Sequence, residues 1–373
     1  MSVITRATSP RKGREIFYRS DTVHPPDVSI VSGAALPCAV ECSVNVSIAA
    51  LSRLCSTAMA GTADVAPGSP SGAALGWAAA VSAVMIWGGW AVATRFLLSG
   101  ATLGAPDMVA VRFLTAALLM APHALRCGLP LRRLRPLSLA AVVGGAGFAF
   151  SLCNTGGLVF APAGLSGAMT APLSAVFTGL IAHRVLGEAL SRRSLAGLGL
   201  ILAGVATLVG ATLAGHSPRV FLGHTLFACA GLLFATYTVA IRRARLASLD
   251  ATAISVIGSA VVYVPVYLAL FGPRFLAAPP GELAVQALLH GALAATLSVI
   301  LFSIGVARLG AQRAASPAAL NPALTALAAI PVLGEVPTAL EIPGFVALTV
   351  GVWLASGARL RAGPRLEQRV KGA

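Results

Sequence analysis

The strongest constraint on this chain is a series of long apolar runs, each about as long as a membrane-spanning helix. A hydrocarbon core about 30 Å thick is crossed by about 20 apolar residues in helical conformation. Ten runs of about this length follow one another, at 73–96, 105–125, 137–159, 162–184, 193–213, 220–241, 250–271, 283–306, 312–334 and 343–360. Since short links join them, the pattern predicts an all-α polytopic membrane protein with ten transmembrane helices.

Composition excludes the other broad classes. Hydrophobic residues make up 57% of the 373 residues and charged residues 10%, whereas soluble domains carry about 25% charged residues. So few charges cannot cover a water-facing surface, and so apolar a chain cannot be disordered throughout. A transmembrane β-barrel would show short alternating segments in place of unbroken runs.

The basic residues lie mainly on one side of the predicted bundle. Seventeen of them follow the even-numbered runs, whereas only Arg219 and Arg274 lie in the links on the opposite side. The positive-inside rule therefore predicts a multi-pass protein of the cytoplasmic membrane with both termini cytoplasmic. This asymmetry accounts for the net charge of +15, so we expect the lipid bilayer as a partner and no nucleic acid.

An internal repeat divides the apolar region into two halves. The residues Val-Leu-Gly-Glu at 185–188 recur at 332–335, an offset of 147 that Trp90 and Tyr237 also keep. A shared offset over several spans indicates duplication of a five-helix unit. Because five is odd, the second copy enters the membrane from the opposite face, which predicts two inverted five-helix repeats. We place the repeats at 72–215 and 219–362, followed by a basic cytoplasmic tail at 363–373.

Residues 1–71 precede the first run, carry no repeat match and are predicted to be a disordered extension. A short polar leader joins Met59 to the first span, so Met59 is an alternative start, which would place residues 1–58 outside the native protein. Cys38 and Cys42 have only His24 nearby, which is too few ligands for the metal sites that cysteine pairs usually form. We expect no metal and no cofactor.

Ten spans in two five-span halves resemble the drug/metabolite transporter superfamily, specifically its EamA-type family. The Ile-Trp-Gly at 86–88 and the Arg-Phe-Leu at 112–114 are similar to motifs of its first and second helices. Each half also ends its fourth span with Leu-Gly-Glu before a glycine-rich fifth span, although the second half has Phe-Ala at 234–235 in place of Trp-Gly. The resemblance covers about residues 72–360. It implies movement, commonly export, of a small metabolite, and it leaves the substrate open.

Polar and aromatic side chains inside the spans are candidates for the substrate pathway, because polar groups are costly in a bilayer. Trp90 and Tyr237 are candidate walls of a central cavity, with ordinary packing as the alternative. Arg112 is a candidate partner for an anionic substrate group. The alternatives for Arg112 are a structural pair with Asp107 and snorkelling to the interface.

Prolines predict a second part of the pathway near the membrane midplane. Pro172 in span four, and Pro317 and Pro322 in span nine, remove backbone donors and are expected to break these equivalent helices. The polar residues that flank the predicted breaks are Thr170, Ser174, Ser316 and Asn321. Asn154 in span three is expected to face the same space.

His290 in span eight is the only clearly internal residue that we expect to titrate near neutral pH. It is a candidate for proton coupling, with a hydrogen-bonded structural histidine as the alternative. The spans contain no HExxH, Walker or Gly-x-Ser-x-Gly motif and no intramembrane Asp pair, so we expect no enzyme and no intrinsic ATPase.

The sequence therefore predicts a secondary transporter that moves a small metabolite, amino acid or xenobiotic by alternating access, with export favoured. The alternative is a membrane scaffold or lipid-handling protein that keeps a transporter-like fold. Glycines in spans five and ten are interpreted as close-packing positions that support the fold or form a homodimer contact.

Overall fold

In a computed structural model of the protein, the residues described are 70–100, 102–215, 218–309, 313–314 and 316–355. Every regular element among them is a helix. The predicted extension at 1–71, apart from its last two residues, and the predicted tail at 363–373 lie outside the described residues, as do Cys38, Cys42 and Met59.

Ten main helices follow one another along the described chain. They are α1 (Pro70–Gly100), α2 (Ala105–Cys127), α3 (Pro136–Phe160), α4 (Ala163–Leu186), α5 (Arg192–Gly215), α6 (Pro218–Ala244), α7 (Ser248–Phe271), α8 (Pro280–Leu309), α9 (Asn321–Leu333) and α10 (Ile342–Ala355). Short 3₁₀ turns occupy Leu131–Arg133, Arg274–Ala277 and Ser316–Leu320.

Eight of these helices, α1 to α8, are long and apolar enough to cross a membrane. The apolar helical stretches at Pro317–Leu333 and Ile342–Ala355 are shorter than a typical span, and shorter than the runs predicted at 312–334 and 343–360. The all-helical membrane fold is therefore confirmed with eight candidate spans, and the count of ten stays a prediction.

The repeated Leu-Gly-Glu unit forms the end of a helix in both halves. Gly187 ends α4 with φ 69° and ψ 19°, and Gly334 ends α9 with φ 69° and ψ 13°. Only glycine adopts this left-handed conformation without steric cost, which is why it commonly ends helices. The sequence match at offset 147 thus reflects two equivalent helix ends, each followed directly by a glutamate.

The equivalent helices α3 and α8 both depart from regular α-helix at the same point of the repeat. α3 is interrupted between Gly145 and Phe148. The Ser259 hydroxyl of α7 forms hydrogen bonds with backbone groups on both sides of this interruption. It donates to the Val143 carbonyl oxygen at 2.9 Å and accepts from the Phe148 amide at 3.0 Å. α8 is π-helical over Ala287–Leu297, which corresponds at offset 147 to 140–150. Such π segments occur frequently at functional sites.

Glycines join the fifth helices of the two halves in an antiparallel pair. A Cβ added to Gly197 of α5 would lie 2.8 Å from the Gly351 carbonyl oxygen of α10. A Cβ added to Gly204 would lie 3.0 Å from the Gly344 carbonyl oxygen. Because the lower number on one helix meets the higher number on the other, these equivalent helices run in opposite directions.

The second helices of the two halves pair in the same antiparallel manner. Near the start of α2, Asp107 Oδ1 accepts a hydrogen bond of 2.5 Å from the Tyr267 hydroxyl near the end of α7. Near the start of α7, Asp250 Oδ1 lies 3.0 Å from His123 Nε2 near the end of α2. Each second helix therefore offers an aspartate from its first turn to the last turns of its equivalent.

The remaining helices pack in equivalent sets. α1 packs against α8 and α9, and α6 packs against α3 and α4. One apolar core lies mainly among α4, α5, α6 and α10, and a second lies mainly between α2 and α7, with α8 beside them. The first helix of each half thus contacts the third and fourth helices of the other half.

Candidate functional site

Four side chains from α1, α2 and α8 meet in the interior and form what we call the Trp90 cluster: Trp90, Thr94, Arg112 and His290. The Arg112 guanidinium carbon lies 5.2 Å from the centre of the Trp90 ring. The His290 ring meets Trp90 edge-on at 5.8 Å. Thr94 Oγ1 donates to the Trp90 carbonyl oxygen at 2.6 Å and lies 3.3 Å from His290 Nε2.

Helix periodicity and one glycine explain why these residues meet. Trp87, Trp90 and Thr94 recur at helical spacing on the face of α1 that packs against α8, and Trp87 Nε1 donates to Ser298 Oγ at 2.9 Å. Gly291 follows His290 in the π-helical segment. A Cβ at Gly291 would lie 2.5 Å from Thr115 Cβ of α2, so the glycine allows α8 to approach α2 beside Arg112.

Arg112 is buried without a charged partner. Arg112 is 9% exposed, and its Nε and Nη1 atoms have no hydrogen-bond partner. Asp107, which the sequence offered as an alternative partner for Arg112, instead accepts from the Gly104 amide at 2.8 Å and from the Tyr267 hydroxyl. Among the described residues, no ion pair joins Arg112 to an acid.

A second polar group lies where α1, α4 and α9 meet. A Cβ on Gly88 would lie 3.3 Å from Asn321 Oδ1 and from Thr325 Oγ1, and one on Gly167 would lie 2.5 Å from Thr325 Oγ1. Asn321 Oδ1 is buried without a hydrogen-bond partner. This second group and the Trp90 cluster occupy different faces of α1, because Gly88 and Trp90 are two residues apart on the helix.

The predicted proline breaks differ from the observed backbone. α4 runs without interruption from Ala163 to Leu186 and includes Pro172, so the predicted break of span four is wrong. Pro322 lies in the first turn of α9, and Pro317 is buried in the 3₁₀ turn before it. These prolines set the start of the regular helix, where a missing backbone donor is tolerated. Of Ser316 only the backbone is described.

The polar neighbours of Pro172 lie where α4 packs against α6. A Cβ on Gly231 of α6 would lie 2.9 Å from the Thr170 carbonyl oxygen and 3.2 Å from the Ser174 amide. Thr170 Oγ1 is buried without a partner, whereas Ser174 Oγ donates to the Ala171 carbonyl oxygen at 2.8 Å.

Asn154 and Tyr237 lie apart from the Trp90 cluster. Asn154 Oδ1 accepts a 2.7 Å hydrogen bond from Ser166 Oγ, which joins α3 to α4. The Tyr237 ring lies 5.5 Å from Phe234, whose ring is 5.5 Å from Phe150 of α3. Trp90 and Tyr237 thus pack against the equivalent helices α8 and α3, and no ring contact joins them to each other in the described part of the chain.

Two ion pairs link the halves reciprocally, and both keep the offset of 147. Arg95 of α1 pairs with Glu335 after α9 at 3.3 Å. Arg242 of α6 pairs with Glu188 after α4 at 2.5 Å. The sequence signal for these pairs is that the two arginines and the two glutamates share the repeat offset of 147.

The two pairs differ in how far they are built into the helix ends. Arg95 Nη1 also donates to the Leu158 carbonyl oxygen at 2.6 Å, and Glu335 Oε2 accepts from the Ala163 amide at 2.7 Å. This pair therefore provides hydrogen-bond partners for a backbone carbonyl at the end of α3 and a backbone amide at the start of α4. Its side chains are 30% and 21% exposed, whereas those of Arg242 and Glu188 are 46% and 44% exposed. A cleft of about 610 Å³ opens beside Arg95 and Glu335.

Sequence reasoning missed several buried polar residues. Gln286 is fully buried, and neither polar atom of its amide group has a hydrogen-bond partner. It was overlooked because it lies near the start of span eight, where a polar residue indicates the interface. His224 is 2% exposed, and the His123 side chain is 9% exposed, so His290 is not the only internal histidine. No three potential metal ligands cluster within the ranges that the structure describes.

Comparisons with known proteins agree with this architecture. The sequence profile of the EamA-like transporter family matches residues 74–210 and 221–357. The comparison with curated proteins gave no match. A solved structure titled "Crystal structure of protein" is 22% identical with a TM-score of 0.51, and covers 80% of this chain and 99% of that chain. At this identity the likeness shows the fold alone. The family profile spans well over half of the chain, including the Trp90 cluster and both ion pairs, so this chain belongs to the EamA-like transporter family.

Proposed function

We propose that this protein is a secondary transporter that moves a small metabolite, amino acid or xenobiotic across the cytoplasmic membrane by alternating access, with export as its direction. The observation that carries the proposal is the reciprocal pairing of the two halves, in which Arg95 meets Glu335 and Arg242 meets Glu188. Inverted repeats supply two related arrangements that open toward opposite faces.

The proposed orientation has ten membrane crossings and both termini in the cytoplasm. It rests on the excess of basic residues after even-numbered helices and on the antiparallel pairing of equivalent helices. In this orientation the Arg95–Glu335 pair lies at the outer face and the Arg242–Glu188 pair lies at the inner face.

Alternating access then requires the two ends to open in turn. Opening the outer end would separate Arg95 from Glu335 and free the ends of α3 and α4, while the Arg242–Glu188 pair stays closed. Opening the inner end would do the reverse. The glycine-packed pair of α5 and α10 supports a role as the element that stays together, because close backbone contact over two glycine pairs leaves little room for sliding.

Buried polar groups favour transport over the alternative of a scaffold or lipid-handling protein. A scaffold has no need for polar groups in its interior, where each costs free energy without a partner. Arg112, Gln286 and Asn321 all bury polar atoms that have no hydrogen-bond partner. We therefore place the substrate pathway along the Trp90 cluster and the group formed by Asn321 and Thr325.

For energy coupling we retain two options, facilitated export and proton coupling through His290. His290 is buried and contacts Thr94 and Trp90, so a change in its protonation would act directly on the packing of α1 against α8. His123 beside Asp250 is a further candidate.

The test is flux in proteoliposomes that contain the purified chain. Vesicles are loaded with a labelled metabolite mixture, and efflux is compared with that of empty vesicles. We expect protein-dependent loss of a subset of compounds. Disulfide crosslinking of Arg95→Cys to Glu335→Cys should stop the loss, and reduction of the disulfide should restore it. Protein-dependent flux that persists under this crosslink would contradict alternating access at this end.

A further inference from the structure

We propose that the substrate carries an anionic group, such as a carboxylate or phosphate, and that Arg112 and Trp90 bind this group between α1, α2 and α8. The inference rests on the proposed transport function and names the substrate class for the same site.

The first argument is the kind of atom left without a partner. In the Trp90 cluster these atoms are Arg112 Nε, Arg112 Nη1 and Trp90 Nε1. All three are hydrogen-bond donors, and neither side chain offers an acceptor. A ligand that satisfies them must therefore supply several acceptor oxygens, and a guanidinium group binds carboxylate and phosphate oxygens best.

The second argument is charge. The structure describes six acidic residues, and every one of them is engaged away from Arg112. Their partners are the Gly104 amide and Tyr267 for Asp107, Arg242 for Glu188, His123 for Asp250, Thr102 and Leu103 for Glu282, Arg95 for Glu335 and Thr338 for Glu341. A buried cation with no counterion is costly. A bound anion would neutralise it.

The third argument is the surroundings of the guanidinium. Its central carbon lies 5.2 Å from the Trp90 ring and 5.8 Å from the Phe113 ring. These rings hold the cation in place without using its hydrogens, which stay available to a ligand. Thr94 donates to the Trp90 carbonyl oxygen and lies within hydrogen-bond distance of His290 Nε2, so neither contact uses the donors of Arg112 or Trp90.

The three unpartnered donor atoms are buried. An anion reaches them only when α1 or α8 moves away from α2, and the π-helical segment Ala287–Leu297 beside Arg112 is the irregular element best suited to that movement. Binding is thereby coupled to a change of conformation, as the transport cycle requires.

The test is thermal unfolding of the full-length chain in neutral detergent with matched probes. Phenylacetate is compared with phenylacetamide, which has the same shape without the charge. Phenyl phosphate serves as a second anion and benzylammonium as the cation. We expect both anions to raise the Tm in a concentration-dependent manner, and the amide and the ammonium ion to leave it unchanged.

Three variants assign the effect. Arg112→Gln should abolish the anion-dependent rise in Tm. Trp90→Phe keeps a ring but removes the indole donor, so the affinity for phenylacetate should fall about tenfold. Arg126→Gln changes an exposed arginine at the end of the same helix and should bind as wild type does. If Arg112→Gln does not fold, Arg112→Lys replaces it, and we expect weaker binding because lysine lacks the planar fork.

Several results would overturn the proposal. One is an equal rise in Tm with phenylacetamide or benzylammonium, and another is an anion effect that survives in Arg112→Gln. A third is Arg112-dependent stabilisation by phosphatidylglycerol in nanodiscs that no soluble anion reproduces, since a lipid headgroup would then occupy the site.

Flux measurements separate this inference from the transport function. Protein-dependent flux of neutral compounds with no flux of anions would overturn the anion site and leave transport in place. Arg112-dependent anion binding without flux of any compound would leave the site in place and contradict transport.

Discussion

At the scale of single residues, the two ion pairs differ in what each charge does. The side chains of Arg95 and Glu335 also bond to backbone groups of α3 and α4, whereas the side chains of Arg242 and Glu188 are described only in contact with each other. Glu335→Gln should lower the free energy of unfolding by about 1–3 kcal/mol, because it weakens a hydrogen-bonded charge pair and a helix cap. Glu188→Gln should cost less than about 1 kcal/mol, as exposed pairs usually do. Denaturant titration in detergent measures both values.

Exchange of the charges provides a control on this reasoning. The double variant Arg242→Glu with Glu188→Arg should recover most of the stability that either single charge reversal loses, since the pair is an isolated contact. The double variant Arg95→Glu with Glu335→Arg should not recover, because a glutamate cannot donate to the Leu158 carbonyl oxygen. Equal recovery of both doubles would show that the backbone contacts of Arg95 contribute nothing.

His290 provides a second prediction at this scale. His290→Gln keeps a polar side chain of similar bulk but removes the ionisable imidazole. If protons are coupled through this residue, substrate flux in proteoliposomes should respond to an imposed pH gradient in wild type and lose the response in the variant. An unchanged response would exclude His290 and direct attention to His123 with Asp250.

At the scale of helices, glycines of α5 separate contact positions from lipid-facing positions. A Cβ at Gly204 would lie 2.9 Å from Leu348 of α10, whereas a Cβ at Gly199 meets nothing within 4 Å. Gly204→Ala should therefore destabilise the protein by about 1–3 kcal/mol. Gly199→Ala should stabilise it by up to about 1 kcal/mol through helix propensity. Opposite shifts of Tm would support the packing of α5 on α10, and equal shifts would contradict it.

The helices were largely predictable from sequence, because apolar runs of 20 residues in a bilayer have few other conformations. Helix irregularities that depend on a side chain from a distant part of the sequence were harder to predict. The break in α3 depends on Ser259, which lies more than 100 residues away. The site was less predictable still, because the contacts of Arg112 and His290 depend on which faces of three helices meet. The family resemblance was confirmed, and the roles of the pathway residues stay predictions.

At the scale of the whole molecule, the proposed topology is open to direct measurement. A reporter fused after Ala373, and one inserted near Ala247 between α6 and α7, should report the cytoplasm. One inserted near Ala278 between α7 and α8 should report the outside. The opposite result for the two insertions would contradict the positive-inside argument.

The same scale bears on self-association. The glycine-containing faces of α5 and α10 pack against each other within one chain. A homodimer, which we retain as a prediction, would therefore use another surface. Gly204→Ala, which disturbs only the contact of α5 with α10, should leave the oligomeric state unchanged, as measured by light scattering in detergent.

The reciprocal ion pairs also bear on the ancestry of the chain. Two copies of a single five-helix subunit, packed antiparallel, would form the Arg–Glu contact twice by symmetry, once at each end of a homodimer. Fusion of the two genes would keep both contacts and then allow each to change independently. Such independent change explains why the Glu335 side chain also bonds to a backbone amide, whereas the Glu188 side chain does not. Either half expressed alone lacks a partner for one arginine and one glutamate. The separate halves should therefore be unstable in isolation and should reassemble when they are made together.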